Sequence, residues 1–138
     1  MSITQIGCEA YILKDKKLFL AKRSNVSGSG TWALPGGHLE FLERADECIC
    51  RELKEELDLN IKPSQIELIA ITDDLQQKEN IHYVHITFRI NIGNQEPKNL
   101  ETDKCSGFDW FSLDKLPKSI FGPHQKILNT INSGKTYN

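Results

Sequence analysis

The segment RELKEEL, residues 51–57, constrains the fold most strongly, because it places carboxylates where a helix packed on a core is usually apolar. On a helix over residues 43–57, with about 100° between successive residues, one stripe is apolar: Ala45, Cys48, Ile49, Leu53 and Leu57. Glu52 and Glu56 fall inside that stripe, within about 20° of Ala45. The helix is therefore predicted to turn two acidic side chains, one turn apart, toward the protein interior.

Two inward carboxylates are costly unless they are protonated, paired or bound to a metal. On the helical wheel Arg51 points about 100° away from Glu52, so no basic side chain of this helix is expected to pair with either acid. A divalent cation satisfies both carboxylates at once. Oxygen-only ligands favour Mg²⁺, with Mn²⁺ as a substitute, over zinc.

Two alternative interpretations of this helix stay open at this point. Basic residues from another element could neutralise Glu52 and Glu56. The whole segment could also be a solvated acidic face with Arg51–Glu55 and Lys54–Asp58 pairs, as runs of charge usually are.

The remaining pattern predicts one α/β domain over residues 1–138 with a mixed sheet. A chain of 138 residues has the usual size of a single domain. Strands are predicted over residues 3–13, 18–23, 64–74 and 81–90, with a further short strand in GFDWFSLDKLP and a helix starting at Pro123. In IHYVHITFRI the alternation predicts a core face and a second face that is polar or directed at a site.

Composition limits the classes of partner. The net charge is −2 and no long basic run is present, which argues against binding of a nucleic-acid polymer. The four cysteines lack metal-binding spacing and are interpreted as reduced thiols, mostly core fillers. The N-terminal sequence lacks a signal-peptide pattern and no segment has about 18 consecutive apolar residues, so a soluble, cytoplasmic protein without a membrane anchor is expected.

The residues before the helix carry a resemblance to a known family. Gly37 is followed after five residues by Glu43, and after seven more by RELKEELDL. This resembles the box of the Nudix hydrolases, G-x5-E-x7-R-E-U-x-E-E-x-G-U, where U is aliphatic. Every fixed position matches except the last glycine, which is Asp58 here. GTWALPGGHLEF and WFSLDKLP are similar to MutT-type members and extend the resemblance over nearly the whole chain. QQKENIHYVHITF and EPKNLETDKC look most like the eukaryotic-type nucleotide diphosphatase branch related to MutT, which cleaves purine nucleoside triphosphates, including modified guanine nucleotides.

The resemblance implies a Nudix fold, with a mixed β-sheet sandwiched between α-helices, and a metal site on the box helix. Glu52 and Glu56 are the implied principal ligands of Mg²⁺, and Glu55 is a further one. The Gly37 carbonyl can join them, because the adjoining glycines let bare backbone approach the helix.

Catalytic roles follow from the same resemblance. Glu52 is the residue best placed to orient or deprotonate a water molecule, while Arg51 and Glu43 hold the loop and the carboxylates in register. For Glu43, an ordinary acid at the start of the helix, stabilised by the helix dipole, is the alternative interpretation.

Substrate contacts are predicted outside the helix. The candidates are Arg23, Gly36, His38, Tyr83 and His85. Arg23 would contact phosphate, with a plain surface arginine as the alternative, and His38 would face the substrate or be a hydrogen-bonded structural histidine. Tyr83 and His85 offer a face that could stack on a base, whereas packing is the favoured role of Trp32.

The implied reaction is Mg²⁺-dependent hydrolysis of a nucleoside diphosphate linked to another group, foremost a nucleoside triphosphate giving monophosphate and pyrophosphate, in nucleotide-pool sanitation. ADP-ribose or another dinucleotide is the alternative substrate, although the proline of ADP-ribose pyrophosphatases is missing downstream of the box. Coenzyme A hydrolases are disfavoured because their extra signature is absent. A non-catalytic nucleotide sensor is the alternative of a different class. A homodimer is expected only because members of the family are often dimers.

Overall fold

The computed structural model describes residues 2–138, which form seven strands and two α-helices. The strands are β1 (Gln5–Lys14), β2 (Lys17–Arg23), β3 (Trp32–Ala33), β4 (Gly36–His38), β5 (Ile66–Gln76), β6 (Ile81–Ile90) and β7 (Cys105–Ser112). The helices are α1 (Ala45–Leu57) and α2 (Gly122–Asn132), and a single 3₁₀ turn spans Pro63–Gln65. The predicted strands are all present.

The strands form one mixed sheet in the order β3-β2-β1-β6-β5, with β4 added on β1 and β7 added on β2. The central pair, β1 and β6, is parallel and runs in register from Gln5 opposite Tyr83 to Ile12 opposite Ile90. The other pairs are antiparallel. This confirms the predicted mixed sheet.

The two helices cover opposite faces of the sheet. Alternate β1 residues, including Ala10 and Ile12, pack in the cluster that contains the α1 stripe. Tyr11, between them, packs instead with Ile127 and Leu128 of α2. Because successive strand residues point to opposite faces, the sheet lies between the helices, as predicted. Each fully buried aliphatic side chain in these clusters contributes about 1.5–3 kcal/mol.

Strand β6 has the predicted alternation, and its polar residues Tyr83 and His85 line a cavity. The middle of this polar face is nevertheless buried, at His85 and Thr87. There the His85 ring contacts His124 of α2 and the Glu9 carboxylate of β1. Toward the ends of the face, Tyr83 and Arg89 keep contact with solvent.

The start of α1 differs from the prediction, whereas its end agrees with it. The helix begins at Ala45, not at Glu43, because Leu42 adopts φ 65° and Arg44 is still extended. At the other end Asp58 is left-handed, with φ 55° and ψ 35°, and its backbone N–H donates to the carbonyls of Leu53 and Lys54. Aspartate thus takes the conformation that the family's glycine suits.

All four cysteines are free thiols, and Cys8 and Cys48 lie in the core. Cys50 and Cys105 are partly exposed. Within residues 2–138, neither helix has the length and apolar character needed to cross a membrane.

Candidate active site

Helix α1 presents its inward carboxylates to a cleft of about 420 Å³ beside strand β4. Glu52 is 15% exposed, whereas Glu55, at the edge of the stripe, is 52% exposed. Glu56 is half-buried, and its Oε1 atom is shielded from solvent. Glu101, from the segment before β7, lines the same cleft. The structure therefore brings the three predicted acids of the helix together with Glu40 and with Glu101, neither of which the sequence indicated.

Glu56 has the surroundings of a cation ligand. Its Oε1 atom is buried and has no hydrogen-bond partner among residues 2–138. Burial raises the pKa of Glu56 well above its ordinary value, and the neighbouring Glu52 and Glu101 carboxylates raise it further. A buried carboxylate oxygen without a donor, facing other carboxylates, is a site that a hard divalent cation satisfies. The donor set thus fits the predicted metal.

Glu52, in contrast, has a cationic partner, and here the prediction from the helical wheel is wrong. Arg51 Nη1 donates to Glu52 Oε1 at 2.8 Å and to Glu55 Oε2 at 3.3 Å. The wheel gives the direction of the Cα–Cβ bond, but the long arginine side chain bends back over the neighbouring turn. The Lys54–Asp58 pair, at 2.7 Å, is formed on the solvent side of the same helix.

Arg51 also joins the helix to the loop before it. Its Nε and Nη2 atoms donate to the two Glu43 carboxylate oxygens at 2.7 and 3.0 Å, and Nη2 reaches the His38 carbonyl at 3.1 Å. The hydrogen bonds from Arg51 lower the pKa of Glu43 to about 2, and the carboxylates raise the pKa of Arg51. Glu43 lies before the first residue of the helix, and its carboxylate binds Arg51. The interpretation of Glu43 as an acid stabilised by the helix dipole is therefore not supported.

The two glycines of β4 allow close approaches that a side chain would block. A β-carbon on Gly37 would lie 2.2 Å from Glu52 Cδ, and one on Gly36 would lie 2.0 Å from the Cys8 carbonyl oxygen. The Glu52 carboxylate thus rests directly against the backbone of β4. Gly36 instead permits β4 to pair closely with β1.

A second cavity, of about 650 Å³, lies next to the carboxylate cleft and is termed the aromatic cavity. Its walls include Tyr83 and Phe121, and its inner end holds Glu9, His85 and Asp74. The two cavities share five lining residues: Arg23, Leu34, Gly36, Gly37 and His38. One elongated ligand can therefore occupy both.

The inner end contains a hydrogen-bonded cluster of buried ionisable groups. His85 Nδ1 lies 2.6 Å from Glu9 Oε1, and His124 Nε2 lies 3.6 Å from the same oxygen. Burial opposes ionisation of Glu9, but the neighbouring His124 and His85 rings outweigh it and lower the pKa of Glu9. Burial likewise opposes the charged form of His85, and Glu9 outweighs it and raises the pKa of His85.

Glu9, His85 and His124 also have the composition of a metal centre, with candidate ligand atoms within 4.8 Å of one another. The hydrogen bonds argue against that use. The Leu34 backbone N–H donates to His124 Nδ1 at 3.0 Å, so the neutral ring carries its proton on Nε2, the nitrogen that faces Glu9. A metal requires a lone pair on that nitrogen. The cluster is therefore a hydrogen-bonded one.

Similarity to known proteins agrees with the box on α1 and the paired cavities. The NUDIX domain profile matches residues 5–131. The chain belongs to the Nudix family. It is an enzyme of the Nudix hydrolase class, which acts on nucleoside diphosphate derivatives and generally needs a divalent cation.

Individual Nudix relatives carry different substrate names. The chain is 32% identical over 123 residues to an ADP-ribose pyrophosphatase of Methanocaldococcus jannaschii, covering 89% of this chain and 70% of that protein. It is 32% identical over 96 residues to nucleoside triphosphatase NudI of Escherichia coli O17:K52:H18, covering 63% of this chain and 68% of that protein. The crystal structure of a MutT Nudix hydrolase from Burkholderia pseudomallei superposes with a TM-score of 0.86 at 29% identity, covering 94% and 98% of the two chains.

The remaining predicted contact residues of this Nudix protein lie where the two cavities meet. Arg23 Nε donates to the Ser27 carbonyl at 2.7 Å, and its guanidinium lies 4.1 Å from the Phe121 ring centre. His38 Nε2 is 3.1 Å from the Tyr83 hydroxyl, and the Tyr83 ring stacks on His85 at 5.5 Å. Trp32 lies elsewhere: its ring packs edge-on against Phe111, the structural role favoured for it.

Several residues of the site were missed by the sequence analysis. They are Glu9, Asp74, Glu101, Phe121 and His124. A single acid inside the apolar run of β1 was a usable signal for Glu9, because a buried carboxylate needs a partner. The others come from β5, the loop before β7 and the start of α2, and carry no local pattern that separates them from surface residues.

Proposed function

We propose that the protein hydrolyses a nucleoside triphosphate to the monophosphate and pyrophosphate with the help of Mg²⁺. The shared lining of the two cavities carries the proposal, because together they offer an aromatic compartment for a base and a carboxylate compartment for a metal-bound polyphosphate. The phosphate chain would cross from one to the other past Arg23, where a guanidinium suits phosphate oxygens.

Glu52, Glu56 and Glu55, with the Gly37 carbonyl, would hold the metal. When bound, Mg²⁺ would supply positive charge to the phosphates and lower the pKa of a coordinated water. Glu52 would orient or deprotonate that water. Arg51 and Glu43 would fix the position of Glu52. The hydrogen bonds that Arg51 donates to both Glu43 and Glu52 support this role.

The contacts with the base would come from the other cavity. Tyr83 and His85 would lie against the base, and Gly36, which lines both cavities, would contact the sugar and first phosphate through its backbone. His38 would face the phosphates, held by its hydrogen bond to Tyr83. One face of the His85 ring is already covered by Tyr83, so His85 would use its edge.

ADP-ribose is the second candidate substrate. The relative from Methanocaldococcus jannaschii, which carries that name, favours it, although the proline expected downstream of the box is absent. A role in nucleotide-pool sanitation and a homodimer remain proposals drawn from the family resemblance. A single domain over residues 1–138 remains a proposal from chain length and pattern, and a cytoplasmic location one from the cysteines and the N-terminal sequence.

Product analysis on a substrate panel tests the proposal. Nucleoside triphosphates and ADP-ribose are incubated with the protein, with and without Mg²⁺, and the products are separated by ion-exchange chromatography. We expect pyrophosphate and monophosphate from at least one triphosphate, only with Mg²⁺, and loss of this activity in Glu52→Gln but not in the exposed-acid control Glu67→Gln. AMP and ribose 5-phosphate as the main products, with triphosphates intact, would favour the second candidate. A folded Glu52→Gln variant with full turnover would exclude the role given to Glu52.

A further inference from the structure

His85 leaves one ring nitrogen unused at the inner end of the aromatic cavity. The residue is 5% exposed, and its Nε2 atom is buried without a hydrogen-bond partner in the part of the chain that the structure describes. Buried polar atoms are nearly always hydrogen-bonded, and the exceptions call for an explanation such as a ligand. Because His85 lines the cavity, a ligand group is a direct source of the missing partner.

The other ring nitrogen sets the chemical character of Nε2. His85 Nδ1 lies 2.6 Å from Glu9 Oε1 and donates its proton to the carboxylate. Glu9 also raises the pKa of His85, which favours the protonated ring, and that ring carries a second proton on Nε2. The inner end of the cavity therefore presents a donor at this position.

Asp74 supplies an acceptor beside this donor. Its Oδ2 atom lies 4.0 Å from His85 Nε2, too far for a hydrogen bond between them. Gln76 Nε2 donates to both Asp74 oxygens, at 2.9 and 3.2 Å, which holds the carboxylate in place. A base edge with an amino group next to a ring nitrogen matches this pair, because the amino group donates to Asp74 and the ring nitrogen accepts from His85 Nε2. A carbonyl oxygen in the place of the amino group would face the Asp74 carboxylate and gain no hydrogen bond from it.

We propose that His85 Nε2 and Asp74 Oδ2 together select a nucleobase that bears an exocyclic amino group. The selection deepens the proposed function, on which it rests, by naming the class of base. Guanine, adenine and cytosine carry such a group, whereas hypoxanthine and uracil do not. His85 and Asp74 would be specificity-determining residues, distinct from the carboxylates on α1.

Binding of nucleoside monophosphates tests the selection without metal and without turnover. Calorimetric titrations are run in EDTA with two pairs: GMP and IMP, which differ only in the amino group, and CMP and UMP, in which a carbonyl oxygen and a ring N–H replace the amino group and the ring nitrogen acceptor. We expect the amino-bearing member of at least one pair to bind about tenfold more tightly, or better, because its partner leaves the buried Asp74 carboxylate without that hydrogen bond. Equal binding within both pairs, or no binding of any of the four ligands, would overturn the proposal.

A pair of neighbouring variants assigns the preference to Asp74. Asp74→Asn converts one acceptor into a donor, so the preference within the discriminated pair should fall to less than about threefold. Asp73→Asn is the matched control, because Asp73 points to Tyr137 instead of the cavity, and it should keep the full preference. A preference that survives in folded Asp74→Asn, checked by circular dichroism, would also overturn the proposal. The wild-type ligand pairs decide the question even if that variant does not fold.

The outcomes separate this inference from the proposed function. Base discrimination in EDTA together with absent hydrolysis in Mg²⁺ would refute the proposed reaction alone. Hydrolysis of triphosphates without any discrimination between the paired bases would refute the base selection alone.

Discussion

Gly37 and Glu52 are so close that a β-carbon on the glycine would lie 2.2 Å from the Glu52 carboxylate carbon. The glycine is therefore needed for the position of the acid. The displaced group would be the end of a flexible side chain, whereas the β-carbon at Gly36 would strike the Cys8 backbone. A change at Gly37 should consequently disturb the chemistry more than the fold.

Gly37→Ala should reduce pyrophosphate release by about a hundredfold or more while the protein remains folded, since displacement of a catalytic group by about 1 Å has effects of this size. Steady-state kinetics and thermal unfolding measure the two properties. Gly107→Ala is the control, because a β-carbon there meets nothing within 4 Å. A Gly37→Ala enzyme with normal turnover would show that Glu52 has another productive position.

Glu56→Gln should raise the stability of the metal-free protein and remove its response to Mg²⁺. Burial and Glu52 raise the pKa of Glu56, so its ionised form destabilises the folded state above the ordinary carboxyl pKa, and the neutral amide relieves this. We expect the melting temperature in EDTA to rise by a few degrees. Saturating Mg²⁺ should raise the melting temperature of the wild type but not that of the variant.

Thermal unfolding of both proteins, with and without Mg²⁺, checks these two expectations, and Glu67→Gln serves as an exposed control. An equal Mg²⁺-induced shift in Glu56→Gln would mean that the metal is held without Glu56. A lower melting temperature of the variant in EDTA would mean that the buried carboxylate has a partner other than a metal.

Glu43→Gln should destabilise the protein at neutral pH and much less in acid. Arg51 lowers the pKa of Glu43 from an ordinary 4.5 to about 2, so its contribution is present above the unfolded pKa and is lost as the pH falls toward about 2. The difference between wild type and variant in unfolding free energy should therefore shrink steadily from about pH 5 to about pH 2. Urea denaturation across that range measures it.

Glu40→Gln is the matched control for this pH dependence. Glu40 lies 3.8 Å from Arg51 Nη1 and is 67% exposed, so its removal should change stability little at any pH. A difference between wild type and Glu43→Gln that stays constant with pH would show that the loss comes from packing, not from the charge pair.

The sequence predicted the parts of this molecule that follow a local period. The inward stripe of α1 and the placement of Glu52 and Glu56 beside it depend only on the repeat of a helix. The left-handed Asp58 follows from the match to the box. The contacts of the Arg51 guanidinium could not be predicted, because a helical wheel does not specify where the end of a long side chain lies.

The aromatic cavity could not be assembled from local patterns. Glu9 comes from β1, Asp74 from β5, His85 from β6 and His124 from α2. The parallel pairing of β1 with β6 brings Glu9 and His85 together across 76 positions of sequence. Such contacts depend on strand order and register, which a single sequence leaves open.

Asp58→Gly restores the family's residue and should leave turnover unchanged, since Asp58 points to solvent away from the carboxylate cleft. Two effects on stability oppose each other. Glycine relieves the left-handed strain and the unfavourable charge at the helix end, but it removes the ion pairs with Lys54 at 2.7 Å and Lys98 at 3.8 Å. Because salt screens charges but not backbone strain, the stability of the variant relative to the wild type should increase with NaCl concentration. Urea midpoints at low and high salt measure this difference. A variant that becomes less stable relative to the wild type at high salt, or that loses activity, would reveal a role of Asp58 beyond the helix end.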